Sequence, residues 1–368
     1  MKLNAKEFLT AVKVLKKVIL PSVKTNKPIL KAVRITQTKN MLSFAATDID
    51  NAVEIDFATD CEPAAPVLVS YEIVEKTSKA IKKGVESIEL SRDGDTIVAS
   101  VKKLNINWRL DEHLIEEYPI VDFPAKPQMM VANLPGEDVV AAITRVFPAH
   151  AKEAQQYSLA GMFLNTSKTA VDFVCTDTWR LHRQRFDRKK GKVYSGIIRE
   201  SGVTLLKALA AVSGKVKLYS CKDPKYVTMV MTGDSIRMKT MLIDFRYPQY
   251  ENVIPHDNLL AITGSTKAFI DALQELTPFI NRETKVVEFS HDSSGKLLLS
   301  VHDANLAVKE CKHTGVAMKF NMTYLKDVMR NVEAKELAIK LKQDAEDGNL
   351  RIDDNGVIYL VSVSTMEK

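Results

Sequence analysis

Glycine is scarce in this chain, with 14 in 368 residues, and none of them falls into a GxGxxG, GxxxxGK[ST] or GxSxG pattern. A phosphate-cradling loop or a nucleophile elbow therefore has no sequence to be made from, and nucleotide hydrolysis and serine-hydrolase chemistry drop out. The four cysteines, Cys61, Cys175, Cys221 and Cys311, stand far apart without a CxxC pair, which supports neither a zinc site nor a disulfide framework. The histidines, at 113, 150, 182, 256, 291, 302 and 313, lack HExxH or any other ligand spacing. No metal and no cofactor are expected. No stretch approaches the ~20 apolar residues of a membrane span, and the N-terminal segment lacks a continuous apolar core with a cleavage site. The expectation is a cytoplasmic protein with no membrane partner.

What the chain has instead is repetition. An apolar quartet at helical spacing occurs as Phe8, Leu9, Ala11, Val12, then as Val139, Val140, Ala142, Ile143, and again as Phe269, Ile270, Ala272, Leu273. Its first members are 131 and then 130 residues apart, a domain-sized period and not a solenoid's. Asp48, Asp177 and Asp303 close strand-like runs at nearly the same step. Second helix-like stretches begin near Ser70, Ser201 and Asn321, and Tyr-Pro turns stand at Tyr118 and Tyr247. The period predicts three domains, at 1–128, 129–258 and 259–368. Within each, helical periodicity alternates with β-branched, strand-like runs. The fold class expected is α+β, with two helices packed on antiparallel sheet in every copy.

The acidic strand ends, Asp48, Asp50, Asp177 and Asp303, are the best catalytic candidates, and a nuclease is the enzyme they would suit. Because three of them occupy equivalent places in separate domains, they cannot form one acid–base or two-metal pair, and turn capping is the better account. Charge points elsewhere. The net charge is +6, and residues 129–258 carry 19 basic against 12 acidic residues. Much of this surplus lies in the run Arg180, Arg183, Arg185, Arg188, Lys189, Lys190 and Lys192. Helix-like stretches also bear Lys13, Lys16, Lys76, Lys79, Lys83, Arg145, Lys207, Lys326 and Arg330. If equivalent helices face one way, these cations suit sequence-blind contact with phosphates.

Five segments in register with the repeat carry a resemblance: Lys27 to Leu30 (KPIL), Ala46 to Asp48 (ATD), Cys175 to Leu181 (CTDTWRL), Tyr247 to Pro255 (YPQYENVIP) and Phe320 to Val328 (FNMTYLKDV). Together they resemble the bacterial sliding clamp, the DNA polymerase III β subunit, over essentially the whole chain. The resemblance implies a non-catalytic processivity factor, a head-to-tail homodimer closing a ring around duplex DNA. DNA polymerase, the clamp loader and repair proteins would be its partners through short peptide motifs. A monomeric DNA-binding or repair scaffold using the same fold is the alternative.

By the same resemblance, a peptide pocket lies between the middle and last domains. One wall would come from Leu159, Thr176, Thr178, Trp179, Arg180, Leu181, Pro248, Asn252 and Val253. The other would come from Leu360, Val361, Ser362, Val363 and Ser364. Lys24 and Tyr157 take the places of the family's DNA contacts, and Trp108, Phe279 and Ile280 fall where subunits would meet. Two departures stand out. The family usually has Gly-His where this chain has Thr178-Trp179, and its apolar C-terminal tail is replaced here by VSVSTMEK. With the basic net charge, they point to a divergent member, of a second-copy or mobile-element kind, with altered partner preference.

Overall fold

The computed structural model describes the chain except for residues 23–26, 111–114, 120–122, 124–128, 153, 223–226, 256–258, 343–347 and 365–368. The helices of the described residues are α1 (Ala5–Ser22), α2 (Tyr71–Ala80), α3 (Gly136–Val146), α4 (Glu200–Ala210), α5 (Thr266–Leu276) and α6 (Met322–Met329). Antiparallel strands fill the intervals. The expected α+β class is what the chain adopts. It forms two compact units, one of residues 1–140 with 198–243 and the other of residues 141–197 with 244–368.

In the first unit the strands run side by side in the order Ala64–Ser70, Ala32–Thr38, Met41–Thr47, Asn51–Ala58, Ile236–Ile243, Val227–Gly233, Lys215–Lys222 and Met129–Pro135. Helix α1 packs against α2, α4 and the strands beneath them. It buries the 3.6-residue stripe of Phe8, Ala11, Val12, Leu15 and Ile19, which is why its apolar positions recur at that spacing.

A second, four-stranded sheet of this unit runs Lys2–Asn4, Ser87–Asp93, Thr96–Val101 and Leu104–Arg109. Its last strand carries Trp108, and here the structure corrects the expectation of a subunit contact. The indole is fully buried, stacked on Phe8 at 6.2 Å and set edge-on to Phe44 at 6.3 Å, and its Nε1 donates to Thr77 Oγ1 at 2.8 Å. A ring that fills its own subunit's core has no face left for a neighbour. The backbone is another matter, because among the described residues Leu104–Arg109 has a ladder partner, Thr96–Val101, on one side only.

In the second unit the sheet order is Gly161–Thr166, Ala170–Thr176, Arg180–Asp187, Val357–Ser362, Asn349–Asp354, Glu336–Lys342 and Leu259–Ser265. A neighbouring set runs Met318–Asn321, Val286–His291, Lys296–Val301 and Ala304–His313. Only the end of the last strand, Cys311 to His313, also pairs with Leu259–Ser265. Among the described residues the stretch before it, Ala304 to Glu310, has no strand on its other side and is a second open edge. Helices α5 and α6 close over a core of Phe269, Leu273, Phe289, Phe320, Leu325 and Tyr359. Both helices are N-capped by side chains, Ser265 accepting from the Ala268 amide and Asn321 from the Thr323 amide, as such residues do for the unpaired first turn.

Truncating Trp108 removes the largest buried side chain in the first unit and the indole hydrogen bond to Thr77, whose hydroxyl keeps its own donation to the Ile73 carbonyl at 2.8 Å. Trp108→Ala is expected to cost about 3–5 kcal/mol, measured by urea unfolding.

Candidate peptide groove and cationic surfaces

The second unit contains a groove of about 850 Å³, and a tight turn of three residues forms much of one wall. The turn joins Ala170–Thr176 to Arg180–Asp187. Asp177 Oδ1 accepts from the amides of Trp179 and Arg180 at 3.1 and 3.0 Å, and Thr176 Oγ1 donates to the Arg180 carbonyl at 2.7 Å. An aspartate at a strand end thus serves as a local cap. With its oxygens occupied in this way, Asp177 is no free general base. Asp48 does the same in the first unit, accepting from the amide and side-chain nitrogen of Asn51; burial raises its pKa above the usual carboxylate value, against those hydrogen bonds.

Both turns force a β-branched residue into left-handed backbone, Ile49 at φ 84° and Thr178 at φ 77°. Glycine reaches that region without steric cost, so the departure from Gly at position 178 has a physical consequence in the shape of stored strain.

Arg180 locks the turn in place. Its side chain is nearly buried, with Nε on Asp177 Oδ2 and a terminal nitrogen on Asp327 Oδ2, each at 2.9 Å. Its guanidinium lies 4.4 Å over the Tyr324 ring. Expected as a groove residue, Arg180 does border the groove, but its charge is matched within the unit. Trp179 remains half exposed at the rim, its carbonyl accepting from the Ser362 amide at 2.8 Å.

The floor is apolar. Leu159, Leu181 and Leu360 are buried there, while Val253 projects at the rim. Leu181 and Leu360 are direct cross-strand partners. Pro248, Asn252 and Val253 come from a turn held by Tyr250, whose hydroxyl donates to Asp172 Oδ2 at 3.1 Å and accepts from Asn165 at 3.0 Å. Arg351 fastens the far end of that turn by donating to the Pro255 carbonyl at 2.7 Å. Thr176, Thr178, Ser362 and Val363 also line the groove, whereas Val361 and Ser364 do not. Strand alternation turns Val361 into the core, and the Ser364 amide donates to the Lys319 carbonyl.

Sequence reasoning missed Gln249, Tyr250, Ile254 and Pro255, which stand in the Tyr-Pro segment that was already singled out. It also missed Lys342, Gly348 and Asn349, which reach the groove from another strand pair and carry no local signal.

The helix cations are less free than their spacing implied. In the first unit Glu75 gathers Lys16 at 2.9 Å and Lys79 at 3.2 Å from two different helices, and Lys76 pairs with Glu72 at 2.5 Å. Exposed pairs of this kind hold their lysines only weakly. Lys13 and Lys83 are exposed and Lys207 is half-buried.

In the second unit Arg145 overturns its expected role. Its side chain is mostly buried and is tied to Glu333 and Gln184, and its carbonyl faces His182 Nδ1 at 2.9 Å. Lys326 donates to Thr277 Oγ1 at 3.1 Å and Arg330 to Asp327 at 2.8 Å. Tyr157 is exposed, edge-on to Phe245 at 5.5 Å, and Lys24 lies outside the described residues. Phe279 is exposed, whereas Ile280 packs partly onto the core. Among the described residues no group of three or more His, Cys, Asp or Glu is placed to hold a metal ion, and no helix is long and apolar enough to cross a membrane.

No protein-family model matches the chain. Curated relatives do: the chain is similar to the beta sliding clamp of Caulobacter vibrioides, 24% identical over 357 residues and 91% of each chain. It is also similar to that of Bacillus subtilis, 22% identical over 86% of this chain and 87% of the relative. Among solved structures, the DNA polymerase III subunit beta of Pseudomonas aeruginosa superimposes with a TM-score of 0.84 at 17% identity, and the beta subunit of Thermotoga maritima with 0.83 at 17%. Each covers 100% of this chain and 99% of the other. The fold is thus the α+β clamp fold along its full length. At about 20% identity with a full-length match of fold, the chain is similar, as a divergent homologue, to the beta sliding clamp, the DNA polymerase III beta subunit.

Two outcomes follow from this geometry. Thr178→Gly relieves the left-handed strain and is expected to raise stability by about 1 kcal/mol after the entropy of the added glycine is counted, as read from thermal unfolding. His182 is fully buried against the Tyr359 ring, and burial lowers its pKa to about 4. Because the unfolded imidazole titrates near 6.5, its contribution is complete above that pH and is lost as pH falls toward 4. His182→Gln should flatten the acid limb of the stability–pH curve by about one proton across that window.

Proposed function

We propose that this protein is a DNA sliding clamp that encircles duplex DNA and tethers a DNA polymerase as a processivity factor. It acts as a head-to-tail homodimer of three-domain subunits with boundaries at 1–128, 129–258 and 259–368. The observation that carries the reading is the groove of the second unit, an apolar floor with a few polar anchors, which is what capture of a short apolar peptide requires. It is built from the segments on which the resemblance rests. Polymerase, loader and repair proteins would dock there one at a time.

Ring closure is supported by the two open strand edges, Leu104–Arg109 and the stretch from Ala304 to Glu310, which leave unpaired backbone groups for a neighbouring subunit. The exposed Phe279 ring supplies apolar area beside such a joint. The lysines of α1 and α2, held by the half-buried Glu75 and the exposed Glu72, suit a surface that must attract phosphates without gripping bases. Retention would come from topology, and the groove would set the choice of partner through Trp179 and Thr178.

The test is retention on nicked circular duplex after loading by a clamp loader. The protein is expected to stay bound at raised salt and to leave when the circle is linearised; release by salt alone, indifferent to cutting, would make it an electrostatic DNA-binding scaffold. Phe279→Glu is expected to shift the dimer toward monomer by light scattering and to abolish retention on circles, while leaving peptide binding in the groove intact.

A further inference from the structure

The part of the basic run that follows the Arg180–Asp187 strand, Arg188 to Lys192, does not line the groove. It folds around its own arginine. The Arg188 amide donates to the Thr169 carbonyl at 2.7 Å, and its guanidinium donates to the Ser167 carbonyl at 3.2 and 2.5 Å and to the Lys192 carbonyl at 2.7 Å. Thr166 Oγ1 adds a donor to that same Lys192 carbonyl at 2.7 Å. The loop curls so tightly that a Cβ on Gly191 would stand 1.9 Å from Arg188 Cζ, so the guanidinium occupies the space a side chain would take. Two turns, one following the Gly161–Thr166 strand and the other following Arg180–Asp187, are thereby stitched into one platform.

Four lysines stand on it, Lys168, Lys189, Lys190 and Lys192, all exposed and without an ion pair among the described residues. Asp172, the nearby buried acid, is already taken by Arg185 at 2.8 Å, which leaves Asp187 as the one carboxylate in the run. Holding like charges together in this way costs free energy that a fold does not need, and the strut that does it is itself a cation.

We propose that this lysine platform is a second phosphate-binding surface, carried on sheet turns and separate from the clamp's helices, that takes the backbone of duplex DNA. The chemistry favours DNA over an acidic protein. Lysines are point charges without the fork geometry that selects carboxylates. The large apolar side chain exposed beside them is a lone valine, Val193, where a protein-docking surface needs an aromatic or arginine anchor. Flexible ammonium groups at a spread of positions suit a repeating phosphate chain and read no sequence. Such a surface would hold DNA that does not pass through a ring, and it needs no ring to act.

The experiment measures binding of the full chain to a short, blunt, fluorescent linear duplex by anisotropy between 50 and 200 mM salt, where no topological retention operates. Replacing Lys168, Lys189, Lys190 and Lys192 together by Ala is expected to weaken binding and to make the slope of log K against log salt shallower by about 3 to 4. The matching four-fold arginine variant should bind as the parent does, and circular dichroism with groove-peptide binding reports that each variant is folded. An alanine variant with unchanged affinity and slope would overturn the proposal. So would one that keeps its DNA affinity while losing affinity for poly-glutamate, which would assign the platform to an acidic protein. Loss of circle retention with the platform effect intact would sink the ring reading and leave this one standing.

Discussion

The groove rests on one antiparallel pairing, Arg180–Asp187 against Val357–Ser362, with Leu181 opposite Leu360 and His182 opposite Tyr359. Side chains alternate across a strand, so a slip of one residue would exchange the two faces entirely. In the register observed, the two leucines floor the groove while histidine and tyrosine go to the core beneath. The two strands come from positions 170 residues apart in sequence, one in the middle copy of the repeat and one at the end of the chain. What fixes them is the fully buried Val361 and Tyr359 on one side and, on the other, the Arg180 guanidinium gripping Asp327 on α6. The groove is therefore as rigid as the sheet seam it straddles, and a peptide entering it would meet a preformed floor.

The Asp-centred turn shows how one device diverges between copies. In the first unit Asp48, Ile49, Asp50 and Asn51 make it; in the second, Asp177, Thr178, Trp179 and Arg180 do. Both aspartates accept from the amide of the fourth residue, and the second residue is left-handed in each. The fourth residue differs. Asn51 turns inward, accepting from the Thr240 hydroxyl at 2.7 Å and donating to Ser201 at 3.1 Å, whereas Arg180 reaches a helix carboxylate and an aromatic ring. At that position Asn51 makes a neutral, buried hydrogen-bond hub, where Arg180 makes a charged clamp beside a groove.

This difference marks how far the sequence could be read. Helical and strand periodicity is a local signal, so the α+β class and the repeated landmarks were visible in residues a few positions apart. The groove walls were visible because CTDTWRL and YPQYENVIP are continuous segments. Lys342 and Asn349 were not, since they arrive through strand pairing that leaves no trace in neighbouring residues. Nor could spacing tell a cation on offer from a cation already matched. Arg145 and Lys13 both look like solvent-facing helix positions, yet one is held by Glu333 and Gln184 and the other is exposed. Trp108 misled for the same reason, because an indole in a strand is compatible with either a core or an interface until its neighbours Phe8 and Thr77 are known.

Among the described residues the strand Leu104–Arg109 has a ladder partner on one side alone, and open rows of backbone groups recruit other strands indiscriminately unless something discourages them. Here Lys102 and Lys103 precede it, Arg109 ends it, and asparagines occupy two of its outward positions. Positive charge at both ends of the strand repels a second identical edge. An edge marked in this way disfavours pairing with a second copy of itself, so that a strand of different charge is the better match for it.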